Sequence, residues 1–154
     1  MISDLFGTIL QELGAIIKNP NLKPDEHNSC LLKFKGDLKV QIEPEKSGRY
    51  LVVGCDLGNI PAGRYRENIF NQALKANGMP IPRYGIFAYS KHSDHLVIFD
   101  NLPLKDLTGQ KIADFLPSFL EKARTWKTAI EKGDVPVLEN TYTSKPIGLF
   151  GLIR

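Results

Sequence analysis

The chain moves between two hydrophobic rhythms, and each change of rhythm marks a new element. Over "SDLFGTILQELGAII" and its flanks, Ile2, Leu5, Phe6, Ile9, Leu10, Leu13, Ile16 and Ile17 recur at steps of three and four. That is one stripe of an amphipathic helix. Ser3 or Asp4 is placed to cap its start, and "NPNLKPDEHNS", with its prolines and asparagines, ends it. The period then falls to two. Cys30, Leu32 and Phe34 share one face, and Leu38, Val40 and Ile42 share a face after Gly36-Asp37, which predicts a β-hairpin. "SGRYLVVGCDLG" supplies a third strand, apolar on both faces around Val52 and Val53, as a central or doubly covered strand would be.

"PAGRYRENIFNQALKANG" returns to the helical rhythm through Ile69, Phe70, Ala73 and Leu74, with Gly78 as its stop. "MPIPRYGIFAYS" and "HLVIFD" predict two more strands. "TGQKIADFLPSFLEKARTWKTAIEKGD" predicts a last helix on the stripe Ile112, Phe115, Leu116, Phe119, Leu120, Ala123, Trp126 and Ile130. Pro117 lies inside that stripe and either kinks the helix or begins its main part. The order is helix, three strands, helix, two strands, helix. Hairpin-linked strands with helices on them give an α+β class, with helices packed on a twisted antiparallel sheet. The domain spans 1–132, and 133–154 is an irregular extension.

At 154 residues, 42% hydrophobic and 24% charged, the chain is long enough to bury a core without staples. No apolar run approaches the roughly 18 residues of a membrane span. "MISDLFG" lacks the basic start and apolar stretch of a signal peptide, so the expected location is the cytoplasm. Cys30 and Cys55 sit within strands without the close spacing of a redox or zinc site, and they read as buried thiols.

Candidate chemistry changes little. His92-Ser93-Asp94-His95 resembles a ligand cluster, but His27 is the only other histidine and lies far off in sequence. Ligand count is the requirement for a metal, and the count is short. Residues 90–95 therefore read as a hairpin turn, with no metal expected. The chain has no Gly-x-Ser-x-Gly elbow, no phosphate loop and no His-Glu-x-x-His helix. "GCDLGN" lacks the dinucleotide spacing, and Asp56 and Asp100 at strand ends read equally well as turn formers. No catalytic residue and no cofactor are expected.

The elements nevertheless follow a family pattern. Ala73, Leu74 and Asn77 end one helix; Gly85 leads a strand; Leu96 and Ile98 follow a polar turn. Then come Leu102-Pro103-Leu104 with Leu107, and Phe119-Leu120-x-x-Ala123-x-x-Trp126. In order and spacing, over about residues 2–132, the chain resembles class I type III secretion chaperones of the Tir-chaperone kind. The resemblance implies a cytoplasmic homodimer that binds the N-terminal segment of one or more secreted effectors, keeps it extended and export-competent, and uses no nucleotide. It also admits a secretion ATPase among the partners.

On that resemblance, the first helix and first three strands present the cargo groove, through Ile9, Leu13, Phe34, Val40, Ile42, Leu51 and Val53. The second helix, whose apolar face is short, is the expected dimer interface through Ile69, Phe70 and Leu74. "KPIGLFGLIR", apolar for a tail, is expected to cover a cargo groove as a placeholder. Two rivals stay open: another protein-binding or regulatory module on the same fold, and a weak nucleic-acid binder. The sequence pI of about 8.8 and "GRYR" at 63–66, an aromatic between arginines, suggest the second.

Overall fold

In a computed structural model, which describes residues 2–138, the chain runs α1 (Ile2–Ile16), β1 (Cys30–Phe34), β2 (Leu38–Pro44), β3 (Tyr50–Asn59), α2 (Arg64–Asn77), β4 (Ile86–Ser90), β5 (His95–Pro103) and α3 (Gly109–Lys132). The strands form one antiparallel sheet in the order β1-β2-β3-β5-β4. The α+β class and the element order match the expectation. The pairing of β3 with β5, across α2 and β4, is the non-local step that periodicity cannot supply.

Register explains which face is core. Leu32, Val40, Cys55, Ile98 and Phe87 form one continuous cross-strand row over all five strands, and all five are buried. Onto this inner face pack α3, which crosses β2 and β3, and α1, which lies against α3. Phe6, Ile9, Leu10 and Leu13 of α1 are at most 1% exposed, and Ile112, Leu116, Phe119, Ala123 and Trp126 of α3 are buried with them. Each fully buried side chain of this size contributes up to about 1.5–3 kcal/mol. The hairpin expected at Gly36-Asp37 forms, with both residues at positive φ (86° and 60°). Arg124 of α3 steadies it by donating to the Lys35 carbonyl at 3.2 Å.

The ends of α1 differ from expectation. The helix already includes Asp4, which lies in its first turn rather than capping it and there complements the helix dipole. At the other end, Lys18 takes the left-handed conformation (φ 60°) and Asn19 N–H donates to Gly14 O at 2.8 Å. The helix therefore stops before Pro20 is reached. The Pro117 alternatives resolve to a single helix: α3 continues through it from Thr108, whose side chain accepts from Lys111 N–H, to Gly133 in the left-handed conformation. Pro117 sits on the exposed face, so Pro117→Ala restores a backbone bond without crowding the core. A gain of about 1–3 kcal/mol is expected. A chemical-denaturation midpoint no higher than that of the parent chain would contradict an uninterrupted helix.

Of the expected extension, residues 134–138 have no regular structure, yet Val135 and Leu138 pack on the core and the Tyr65 hydroxyl donates to Asp134 O at 2.8 Å. The tail segment "KPIGLFGLIR" lies outside the described residues.

Candidate functional site

Among the described residues, helices cover one face of the sheet and leave the other open. The row next to the buried one runs Leu31, Gln41, Gly54, Phe99 and Ile86 over the same five strands. Leu31 is 52% exposed, while Val52, Phe99 and Ile86 are half-buried. The two-sided apolarity read in β3 is thus that of a central strand, with Val52 on the uncovered side. A shallow trough of about 370 Å³ runs over this face, with Gly54 in its floor and Leu31, Val52, Val97 and Phe99 around it.

The two sheet edges differ. β4 has lost part of its free edge to a side chain, because Asn77 at the end of α2 pairs with the Phe87 backbone in both directions. Its Nδ2 donates to Phe87 O at 3.0 Å, and its Oδ1 accepts from Phe87 N–H at 2.8 Å. An amide side chain imitates a neighbouring strand, which is one way an edge is closed to pairing. Among the described residues, β1 has β2 as its only strand neighbour, and no backbone bond from outside the sheet reaches it.

Against this geometry, six of the seven residues expected to contact cargo turn inward. Ile9, Leu13, Val40, Ile42, Leu51 and Val53 are at most 1% exposed and belong to the core, where they offer no surface to a ligand. Phe34 is half-buried at the end of β1. The physical reason is the period of two: the apolar-alternating set of a strand is the set that faces its own helices. The residues these strands present are their neighbours, Leu31, Lys33, Lys39, Gln41, Val52 and Gly54. The available signals were an apolar residue interrupting the polar set (Leu31, Val52) and a glycine at mid-strand.

The residues expected at the dimer interface divide differently. Ile69 is fully buried and holds α2 on its own protomer. Leu74 is 70% exposed, and Phe70 is half-buried, edge-on to Tyr89 with ring centroids 5.2 Å apart. Between α2 and β4 lies an apolar cavity of about 160 Å³, with Phe70, Ala73, Leu74, Phe87, Tyr89 and Leu96 in its wall.

The histidine stretch forms the β4–β5 turn, with Asp94 at φ 57°. His92 is exposed, whereas His95 Nδ1 faces the Asp56 carboxylate at 2.7 Å. Tyr89 donates its hydroxyl to Asp94. Arg66 Nε donates to Ile60 O at 2.8 Å, and its guanidinium lies 5.2 Å from the Tyr89 ring centre and 3.8 Å from Asp94. The "GRYR" segment is therefore occupied within the protomer at Tyr65 and Arg66, while Arg64 remains exposed near Glu67. These contacts tie the turn to α2.

Residues 8–127 match the model of the Tir chaperone protein (CesT) family. The chain belongs to that family. Its fold is similar to the Yersinia pestis type III secretion chaperone SycH, seen with a stable fragment of YscM2 (TM-score 0.64, 19% identity, 79% of this chain and 98% of that one). It is also similar to a chain of the HopA1–SchA chaperone–effector complex (0.62, 18%, 84% and 98%). A third similar chain comes from the ExoT–SpcS complex of Pseudomonas aeruginosa (0.61, 16%, 79% and 97%). No curated protein sequence matches the chain. Among the described residues of this Tir-chaperone-family chain, no helix is long and apolar enough to cross a membrane.

Both cysteines lie on the inner face of the sheet. Burial first, and the Asp56 charge second, push the Cys55 thiol up to about 11; burial also raises Cys30. A raised thiol is a poor nucleophile. A thiol reagent at pH 8 should label neither residue in the folded chain and both in denaturant, counted by mass. Prompt labelling of the native chain would contradict the burial described here.

Proposed function

We propose that this Tir-chaperone-family protein acts as a homodimer that holds the N-terminal segment of one or more secreted effectors extended, and that the segment enters as a strand along β1. The observation that carries the reading is the asymmetry of the sheet. The edge of β1 is open beside an uncovered apolar face, whereas the edge of β4 is engaged by Asn77. A strand added to β1 gains backbone bonds from the edge, and alternate side chains reach the open face. Family membership and the likeness to chaperones solved with protein partners support the same reading.

Dimerisation is assigned to the rim of α2 and β4, where Leu74 is exposed above the apolar cavity. A second copy covering that rim would bury Leu74 and leave β1 free for cargo. The buried cargo candidates act through the core that shapes the sheet rather than by contact.

Deletion of the gene in the source bacterium, followed by comparison of its secreted proteins, tests the function. Loss of one or a few secreted proteins, restored by the intact gene, is expected. An unchanged set of secreted proteins would overturn the reading.

A further inference from the structure

Gly54 is a glycine that its own fold does not require. It lies at mid-strand in β3, the central strand, with unbroken register to Gln41 on one side and Phe99 on the other. The β-bulge of β3 lies further on, between Asp56 and Gly58. Its φ is not in the left-handed range, and a Cβ there would meet only Ile98 O and Phe99 Cβ, both at 3.8 Å, an ordinary contact. Glycine weakens a strand interior, and where neither bulge nor crowding calls for it, it marks close approach by something else. Nothing in the described protomer fills that space, because Gly54 lines the trough.

Charge on the same face indicates the occupant. Lys33 and Lys39 are direct cross-strand partners on β1 and β2, and like charges so placed repel. Neither has a carboxylate partner among the described residues. The two acidic groups of this face are already engaged: Asp56 with His95 and the Gly58 N–H, and Glu43 with Gln41 Nε2. The face therefore offers an unneutralised basic pair beside an apolar trough. Its complement is a segment that carries acid and apolar groups together. The chain's own residues 139–154 fit poorly, with Glu139 alone against Lys145 and Arg154.

We propose that the trough over Gly54 seats one bulky apolar side chain of a bound peptide segment, and that Lys33 and Lys39 receive a carboxylate of the same segment. The specificity of this chain is then for cargo in which an acidic residue and a large aliphatic or aromatic residue lie close together. Lys39 and Gly54 are diagonal neighbours on β2 and β3, about 7 Å apart. That is the spacing of residues i and i+2 on one face of an extended segment, so the part of the segment that engages them crosses the open face beyond the strand it adds to β1. The inference rests on the effector-binding reading and gives it a chemistry.

The test selects phage-displayed random dodecapeptides on the whole chain, then titrates the winners against the parent, Gly54→Val and the double variant Lys33→Glu/Lys39→Glu. Enriched peptides should pair Asp or Glu with Leu, Ile, Phe or Trp two positions away. Gly54→Val should melt no lower than the parent, since valine suits a strand, and should bind at least about tenfold more weakly. If Gly54→Val fails to fold, the lysine variant, changed only on the surface, carries the test; it should lose acidic peptides by a similar factor.

Failure to enrich any peptide, enrichment without acid, or unchanged binding by the variants would overturn the proposal. So would displacement of the peptides by a single-stranded oligonucleotide at equal concentration. The two readings fail separately. Secreted cargo held normally by Gly54→Val sinks the trough alone, and trough-dependent peptides from a chain whose deletion leaves secretion unchanged sink the secretion role alone.

Discussion

Leu74→Lys should leave the protomer folded and convert the proposed dimer into a monomer. Leu74 is 70% exposed on α2, so the protomer loses little when it changes; surface substitutions of this kind usually fall within about 0.5 kcal/mol. A cation in the last turns of the helix also suits its dipole. In a dimer that buries the rim of α2 and β4, by contrast, two opposed lysines would replace two leucines against an apolar cavity. Losses at the centre of an interface reach 2 kcal/mol or more, which raises the dissociation constant by a factor of about 30 to several hundred. Light scattering across a dilution series reads this directly. A variant as dimeric as the parent would place the interface elsewhere. Phe70, another residue of the expected interface, is the poorer test because its ring packs on Tyr89 within the protomer.

The second large effect belongs to the core. Gly109→Ala should lower the melting temperature by roughly 10 °C. Gly109 opens α3 where that helix meets α1, and a Cβ there would lie 2.4 Å from Leu13 N and 2.6 Å from Glu12 Cβ. The Gly109 N–H also donates to Glu12 Oε1 at 3.0 Å. A methyl group cannot enter without separating the two helices, because the nearest atoms are backbone. Overpacking of this sort costs about 3 kcal/mol at the upper end of its usual range. For a chain of this size that corresponds to the shift stated. An unchanged melting temperature would mean that α1 is not seated on α3 as described.

These two sites show what was legible in the sequence. The elements were legible because each has a single dominant period: Phe6, Ile9, Leu10 and Leu13 in α1, and Leu38, Val40 and Ile42 in β2. The turn at residues 91–94 was legible from its polar run between two apolar strands. The presented face was not. Alternation identifies the apolar set of each strand, and in a sheet covered on one side that set is the core by construction. Choosing Val40 and Val53 as ligand contacts therefore selected against exposure. Leu31 and Val52, which break the alternation, were the informative residues.

Long-range fits were also beyond the pattern. The pairing of Asn77 with β4 and the seating of Gly109 on Glu12 both depend on the final packing of distant segments. Asn77 belongs to a motif in the sequence, and its chemistry emerges only with β4 beside it. The glycine in "TGQK" gave no hint of a helix crossing, since Thr108-Gly109 reads locally as the start of a helix and nothing more.

The most direct test captures the tagged full chain from the cells that make it, washes at low and high salt, maps the retained partner by proteolysis and mass, and weighs the complex by light scattering. The account predicts two 17.2 kDa chains holding the N-terminal region of a secreted protein in a complex that survives high salt. A monomer with no partner, or nucleic acid that washes away at high salt, would contradict it.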